Sequence, residues 1–308
     1  MAEAGASVPL GLASTDPSGV RRRVLDAWTD FAGAAAVVEL SRGTRLAGWR
    51  AQEVCTHLGS WDDSRVLESV LASARAGAVS EPPSTDALNA AVTAAHRSAS
   101  RAAVLGALEA AREAVDGFFA GPDCTALGLT PTVSLLGPLP VLTVISAGCY
   151  ELAVHALDLV SSGAPPPPQR LLLAGLGALI DVTGALAARA GLEVTVTAQT
   201  PDGGWSCTAA GGGWTTSPVP AGPVSGVAIV GSAADVLDVS AGRAGAPALL
   251  ASRRLRVQDL RGFMALAPLV EAVPGLPGGA ALRGAARTLG AAVDTVGRLP
   301  GLGLLRRR

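Results

Sequence analysis

Apolar residues in the first half of the chain recur every three or four positions, which is the period of an amphipathic helix. One such run lies at about residues 16–40, and the Asp-Pro-Ser sequence at its start is typical of a helix N-terminus. Similar runs predict three more helices, at about residues 50–76, 84–119 and 141–162. Four long helices, the last preceded by a long Gly- and Pro-containing connection, predict an antiparallel bundle.

The hydrophobic period changes in the second half of the chain. A fifth helix is predicted at about residues 169–190, and residues 192–198 after it alternate between apolar and polar, as a strand does. Further strands are predicted at about residues 205–209, 214–216, 224–230 and, at a sheet edge, 254–257, with helices at about 233–241 and 259–272. This order predicts a small α+β layer after the helical bundle. The sequence therefore predicts an α+β chain in three parts, residues 1–165, 166–275 and 276–308.

The predicted C-terminal tail, residues 276–308, has apolar residues at helical spacing with arginines between them, and three arginines end the chain. Two interpretations stay open. The tail is either a surface helix packed on its own domain or a basic amphipathic helix that makes a peripheral contact with an anionic membrane.

Composition excludes some classes of function. Of the 308 residues, 49% are hydrophobic and 16% charged, so the chain can bury a large core, and its length suggests two domains. The net charge is −1 and no basic stripe with interleaved aromatics occurs, which argues against nucleic-acid binding. The first residues do not read as a secretory signal, and prolines and a glycine interrupt the longest apolar stretch, residues 130–150. We therefore expect no transmembrane segment and a cytoplasmic protein.

The chain has four cysteines, and none forms a CxxC pair. In a long cytosolic chain we expect them to be reduced. Burial as small hydrophobic residues, rather than reactivity, is the expected role of Cys55, Cys124, Cys149 and Cys207.

Two of the three histidines lie on predicted helices beside apolar residues. His155 follows Glu151 by four residues, so the two side chains share one face of a helix. A buried acid and imidazole need partners, and either a mutual hydrogen bond or a shared metal ion would satisfy them. His57, on another predicted helix, favours the metal, because two histidines and one glutamate leave a fourth position open on a catalytic zinc. His96 has polar neighbours and is expected on a solvated face.

Two segments carry a resemblance to a known family. Residues 48–58 read GWRAQEVCTHL, and residues 151–158 read ELAVHALD. Together they resemble the mycothiol-dependent maleylpyruvate isomerase family, whose N-terminal half is a DinB-like four-helix bundle that binds zinc. The resemblance implies that the metal ligands are His57, Glu151 and His155. Asp158 is placed to accept the second ring proton of His155, with a plain helix-surface aspartate as the alternative.

The second half of the chain, about residues 190–272, is similar to the sterol-carrier-type domain that these enzymes append. The resemblance implies an arginine used for activity, and this role falls on Arg243. Arg253, Arg254 and Arg256 are alternatives for it. The tail after about residue 275 has no counterpart in the family.

The chemistry implied by the resemblance uses Zn²⁺ and mycothiol, the low-molecular-weight thiol of actinobacteria. A thiol held as thiolate near neutral pH adds to a conjugated cis double bond, and rotation followed by loss of the thiol gives the trans product. The partners are then a small-molecule thiol and a small electrophilic substrate.

Three other functions remain as alternatives. A mycothiol S-transferase would use the same thiolate on other electrophiles. A non-enzymatic protein would combine a structural metal with an apolar ligand in the C-terminal domain, and a metal-free regulator would bind neither. A structural zinc usually has four protein ligands, and the sequence offers three, which favours an open site.

Overall fold

The computed structural model describes residues 8–63, 65–77, 85–264, 266 and 269. The predicted tail, residues 276–308, and most of the predicted helix beyond residue 264 lie outside the described residues. Helices make up the first half of the described chain and a sheet follows them, so the predicted α+β class is confirmed.

The helical half contains several long helices and two short ones. They are α1 (Gly11–Thr15), α2 (Pro17–Val37), α3 (Ala51–Leu58), α4 (Val66–Ala76), α5 (Thr85–Ala95), α6 (Arg101–Ala120), α7 (Pro122–Leu127) and α8 (Val141–Leu159). The predicted start of α2 is confirmed, because the Asp16 carboxylate accepts the backbone N–H of Gly19. A 3₁₀ turn, Val160–Ser162, follows α8. Between α7 and α8, the two-residue strands β1 (Pro131–Thr132) and β2 (Leu139–Pro140) pair with each other.

The prediction of one helix at about residues 50–76 is wrong, because α3 and α4 are separate. At Gly59 the backbone leaves the helical conformation and becomes extended, with a ψ angle of 151°. The indole N–H of Trp61 donates to the carbonyl oxygen of Thr56, 3.0 Å away. A side chain beyond α3 thus satisfies one of its last carbonyls, which stabilises the end of the helix at this point.

The prediction of one helix at about residues 84–119 is also wrong, because α5 and α6 are separate. A side chain from α3 stabilises the break. Gln52 Nε2 lies 2.9 Å from the carbonyl oxygen of Arg97 and within 3.4 Å of two neighbouring carbonyl oxygens. Ser100 then caps the start of α6 by accepting the N–H of Ala103.

The second half of the described chain is a helix followed by a five-stranded sheet. Its elements are α9 (Gln169–Arg189), β3 (Val194–Thr200), β4 (Gly203–Ala210), β5 (Gly213–Val219), β6 (Val227–Gly231), α10 (Ala233–Ser240), α11 (Ala246–Ala251), β7 (Leu255–Gln258) and α12 (Leu260–Met264). The strand order is β5-β4-β3-β6-β7, with β3 and β6 parallel and the other neighbours antiparallel. β7 lies at the edge, as predicted.

α9 packs between α8 and the sheet. Two glycines permit this close approach. A Cβ at Gly175 would lie 2.6 Å from the Cβ of Ala153 in α8, and a Cβ at Gly177 would lie 2.7 Å from the ring of Trp205 in β4. Because α9 contacts both parts, they share one continuous core. The limits of the three predicted parts stay a prediction.

Asp181, in the middle of α9, connects the N-terminal segment to the sheet. Its Oδ1 accepts the backbone N–H of Leu12, the indole N–H of Trp214 at 2.9 Å and the hydroxyl of Thr216 at 2.6 Å. The carboxyl is buried, and this burial raises its pKa despite the three donors. α1, which the sequence pattern did not predict, is held here against β5.

Two helices, Val141–Ser162 and Gln169–Arg189, are long and apolar enough to cross a membrane. In each, most of the apolar window is buried within the protein, 61% and 78% respectively. Helices at the centre of a globular core have the same length and composition, so these two are weak evidence for a membrane span.

Candidate metal centre

The structure brings together the three predicted ligands. His57 lies in the last turn of α3, and Glu151 and His155 lie one turn apart on α8. Glu151 Oε2 is 3.6 Å from Nε2 of His155 and 3.8 Å from Nε2 of His57. The donor atoms of the three residues all lie within 4.8 Å of one another.

These separations fit one shared ion. Zinc bonds of about 2.0–2.2 Å to nitrogen and oxygen place two tetrahedral ligand atoms roughly 3.3–3.6 Å apart. The two nitrogen–oxygen distances are close to this range and too long for good hydrogen bonds. The donor set and its spacing therefore fit a divalent metal better than a mutual Glu151–His155 hydrogen bond.

The cluster is covered on one side and open on the other. The side chain of His155 is 7% exposed and that of His57 is 16% exposed, whereas Glu151 is 51% exposed. The indole of Trp49 is parallel to the His155 ring, with centroids 6.4 Å apart, and meets the His57 ring edge-on at 5.8 Å. An ion held here would have protein on the imidazole side and access to solvent beside Glu151.

Each imidazole has a partner on the nitrogen that faces away from the cluster. Nδ1 of His155 lies 2.9 Å from Asp158 Oδ2, and Nδ1 of His57 lies 3.0 Å from Asn89 Oδ1 on α5. If both Nδ1 atoms donate, both Nε2 lone pairs are left free for a metal. Asp158 was expected from its spacing to His155. Asn89 was not, because no local pattern connects α5 with α3.

The acidic groups of the cluster are held ionised. Partial desolvation would raise the pKa of Glu151, but His155 and His57 outweigh it and hold that pKa well below its usual range. Burial would also raise the pKa of Asp158, but His155, Arg243 and Arg45 lower it to about 2. Burial would lower the pKa of His155, but the hydrogen bond to Asp158 and the nearby negative charge of Glu151 raise it instead.

Asp158 is also the centre of an ion-pair network that reaches the second half of the chain. Its side chain is 0% exposed. Oδ1 accepts Arg45 Nε at 2.6 Å and Arg243 Nε at 3.3 Å, and Oδ2 accepts Arg243 Nη2 at 3.3 Å. Arg45 also donates from both Nη atoms to Asp238 on α10, at 2.8 and 2.6 Å. Sequence reasoning did not identify Arg45, which lies in the loop between α2 and α3.

The structure separates Arg243 from the other arginines considered for its role. Arg243 contacts Asp158, which in turn contacts His155. Arg254 pairs instead with Asp235 on α10. Arg253 follows α11, and Arg256 lies on the edge strand β7.

A polar groove of about 350 Å³ adjoins the cluster. Its lining consists of Gly48, Trp49, Arg50, Glu53, Thr93 and Arg97. The three donor residues are not part of this lining, so the groove is next to the coordination site rather than the site itself. Trp49 lines the groove and also contacts the rings of His57 and His155.

The cysteines do not join the donor set. Cys55, Cys149 and Cys207 are buried, and burial raises the pKa of each thiol to about 12, as expected for inert core residues. The expectation for His96 needs correction. Its ring stacks on Trp61 with centroids 3.8 Å apart, so its side chain is only 25% exposed.

Comparisons with known proteins connect this chain with one family. Residues 21–160 match the family described as the mycothiol maleylpyruvate isomerase N-terminal domain. A crystal structure of the mycothiol-dependent maleylpyruvate isomerase, in a histidine-to-alanine variant, is similar with a TM-score of 0.50 and 14% identity, over 76% of this chain and 92% of that chain. A second crystal structure of that isomerase covers the same shares with a TM-score of 0.49.

At this identity the structural likeness concerns the fold alone, and no curated protein matches the chain by sequence. The family match carries more, because residues 21–160 include both helices that hold the cluster. Residues 21–160 are therefore similar to the mycothiol maleylpyruvate isomerase N-terminal domain family, and this similarity supports an enzyme of the isomerase or thiol-transferase type.

Proposed function

We propose that this chain is a zinc-dependent enzyme that uses mycothiol to isomerise a maleylpyruvate-like cis double bond. The observation that carries the proposal is the convergence of His57, Glu151 and His155 in a domain similar to this family. These three residues would hold the metal and leave a fourth position open. The cluster is open beside Glu151, where a small thiol has access.

When bound, zinc would hold the thiol as thiolate near neutral pH, and the thiol supplies the nucleophile that adds to the cis double bond and leaves after rotation. The protein's own residues prepare the site for this chemistry. Asp158 and Asn89 fix the two imidazole rings with Nε2 directed at Glu151. The indole of Trp49 lies beside both rings, parallel to that of His155 and edge-on to that of His57.

We propose that Arg243 stabilises the negative charge that develops on the substrate's carbonyl oxygen. A guanidinium has five N–H donors. Arg243 uses two of them on Asp158 and one on the carbonyl oxygen of Ala241, so two remain for an oxyanion. Arg243 contacts Asp158, which contacts His155, whereas Arg254 pairs with Asp235. This proximity to the cluster supports Arg243 over Arg254 for the role.

We further propose that the sheet and its helices form the sterol-carrier-like domain, residues 166–275, behind a metal-binding bundle at residues 1–165, in a cytoplasmic protein. On β3 and β4 one face of the sheet is polar, because Thr195 pairs with Thr208 and Thr197 with Ser206 through their hydroxyls. That chemistry does not favour an apolar ligand on this face, and it supports an enzyme over a lipid carrier.

The test is an activity assay with the zinc-loaded protein. Maleylpyruvate is supplied with and without mycothiol, and a second assay offers an electrophile in place of maleylpyruvate. The proposal expects isomerisation only with the thiol, and its loss in His57→Ala. Turnover that does not depend on the thiol would refute the proposal, and conjugation of the electrophile without isomerisation would identify an S-transferase.

A further inference from the structure

A single arginine connects the metal cluster to the second half of the chain. Arg45 lies in the loop between α2 and α3, 113 positions before Asp158 and 193 before Asp238. Its Nε donates to Asp158 and its two Nη atoms donate to Asp238, all within 2.8 Å. Short charge-assisted hydrogen bonds of this kind are among the strongest in proteins and fix orientation as well as distance.

The surroundings of this bridge are largely closed to solvent. The side chain of Asp158 is 0% exposed, that of Asp238 is 18% exposed and that of Arg45 is 30% exposed. A buried carboxylate requires compensation by positive partners. Arg45 provides the shortest contact to Asp158, since the two contacts from Arg243 are both 3.3 Å long.

We propose that Arg45 is a positioning residue through which α10 sets the geometry of the metal site. The chain of contacts runs from Asp238 on α10 to Arg45, from Arg45 to Asp158, and from Asp158 to the imidazole of His155. Outer partners of a metal-bound histidine orient the ring and tune its affinity for the ion. The inference rests on the proposed function to the extent that His57, Glu151 and His155 bind a metal.

The loop that carries Arg45 adds a second connection to the cluster. Trp49, which lies beside both imidazoles, belongs to the same loop. The hydroxyl of Thr44 donates to the carbonyl oxygen of Trp49 at 2.9 Å, so the segment 44–49, which contains Arg45, is closed within the loop. Fixing Arg45 between Asp158 and Asp238 therefore also fixes the position of the indole beside the rings.

The alternative is that the Arg45 bridge only attaches α10 to the bundle. In that case its loss lowers stability and leaves the metal site unchanged. The Arg170–Asp30 pair supplies a matched control, because it is a bidentate bridge between α9 and α2 that touches none of the cluster residues. Arg170→Gln removes this bridge without affecting Asp158.

The test measures Co²⁺ affinity of the full chain by the visible absorption of the bound ion. We expect Arg45→Gln to weaken Co²⁺ binding about tenfold and to change the spectrum. Asp238→Asn should act in the same direction, and the double variant should be no weaker than Arg45→Gln alone, because Asp238 acts through Arg45. Arg170→Gln should stay within about twofold of the natural chain, even if its Tm falls.

Asp238→Asn is the milder change, so it keeps the test decisive if Arg45→Gln does not fold. Natural affinity and spectrum in a folded Arg45→Gln or Asp238→Asn protein would overturn the inference. So would additive losses in the double variant. Absence of Co²⁺ binding by the natural chain itself would be a different failure, namely that of the proposed metal site.

Discussion

Asp158→Asn is the substitution that probes the metal site with the smallest change in shape. The carboxylate accepts four hydrogen bonds, two on each oxygen. An amide has one oxygen and one NH₂ group. If the NH₂ faced Arg45, the shortest of the four bonds would lose its acceptor, and a donor group would lie against a cationic donor. We therefore expect the amide oxygen to face Arg45 and the NH₂ to face His155.

This orientation changes the tautomer of His155. The amide NH₂ donates to Nδ1, so the ring proton moves to Nε2, the atom that faces Glu151. A protonated Nε2 has no lone pair for a metal. Loss of an outer partner of a ligating histidine typically costs about 10–100-fold in metal affinity, which corresponds to about 1.4–2.7 kcal/mol. Loss of the negative charge beside Arg45 and Arg243 should also lower the free energy of unfolding, by about 2 kcal/mol.

The assay is a competition titration of Zn²⁺ against a chromophoric chelator, together with urea unfolding of the metal-free protein. Asp30→Asn is the control, because Asp30 is also largely buried and paired with an arginine, but its ion pair is with Arg170 and not with a residue of the cluster. We expect both variants to lose stability and only Asp158→Asn to lose zinc affinity. Equal zinc affinity in Asp158→Asn and the natural chain would refute the tautomer argument.

Three further outcomes follow from the structure. Gly175→Ala should lower the free energy of unfolding by about 1–3 kcal/mol, because the new methyl group meets α8, whereas Gly148→Ala, which has open space, should raise it by about 0.5–1 kcal/mol in urea unfolding. Asp181→Asn keeps an acceptor for its three donors. The raised pKa of Asp181 gives the natural chain stability that is full below the unfolded value of about 3.9 and is lost as pH rises from there through the folded value, so the variant should gain stability relative to the natural chain as pH rises above about 4. Trp49→Ala should lower the thiol-dependent kcat/KM about tenfold, and Trp49→Phe should retain most of the natural value. A natural kcat/KM in Trp49→Ala would show that Trp49 has no role in the site.

The sequence predicted two of the three cluster residues from local signals. Glu151 and His155 are one helical turn apart, and apolar neighbours indicated that the helix is buried. The pairing with His57 needed a second helix, and the resemblance to the isomerase family supplied the match. Helices α2, α8 and α9 were predicted within a few residues, since long amphipathic or apolar runs with Asp, Pro and Gly at their ends leave little ambiguity.

The errors come from hydrogen bonds that the apolar period does not reveal. The break between α5 and α6 depends on Gln52, which is distant in the sequence, and the end of α3 depends on the indole N–H of Trp61, whose apolar ring fits the helical period of the predicted helix. Asn89 and Arg45 were missed for the same reason. Their roles depend on which side chains the fold places opposite them, and a single sequence does not contain that information.

The central claim is that three side chains from α3 and α8 bind one metal ion. Its most direct test is the zinc content and zinc affinity of the purified chain and of its His57→Ala and His155→Ala variants, with far-UV circular dichroism to monitor the helices. We expect one zinc per natural chain, and in each variant an affinity lower by at least about tenfold with nearly unchanged helical content. Full zinc occupancy in either variant would contradict the account.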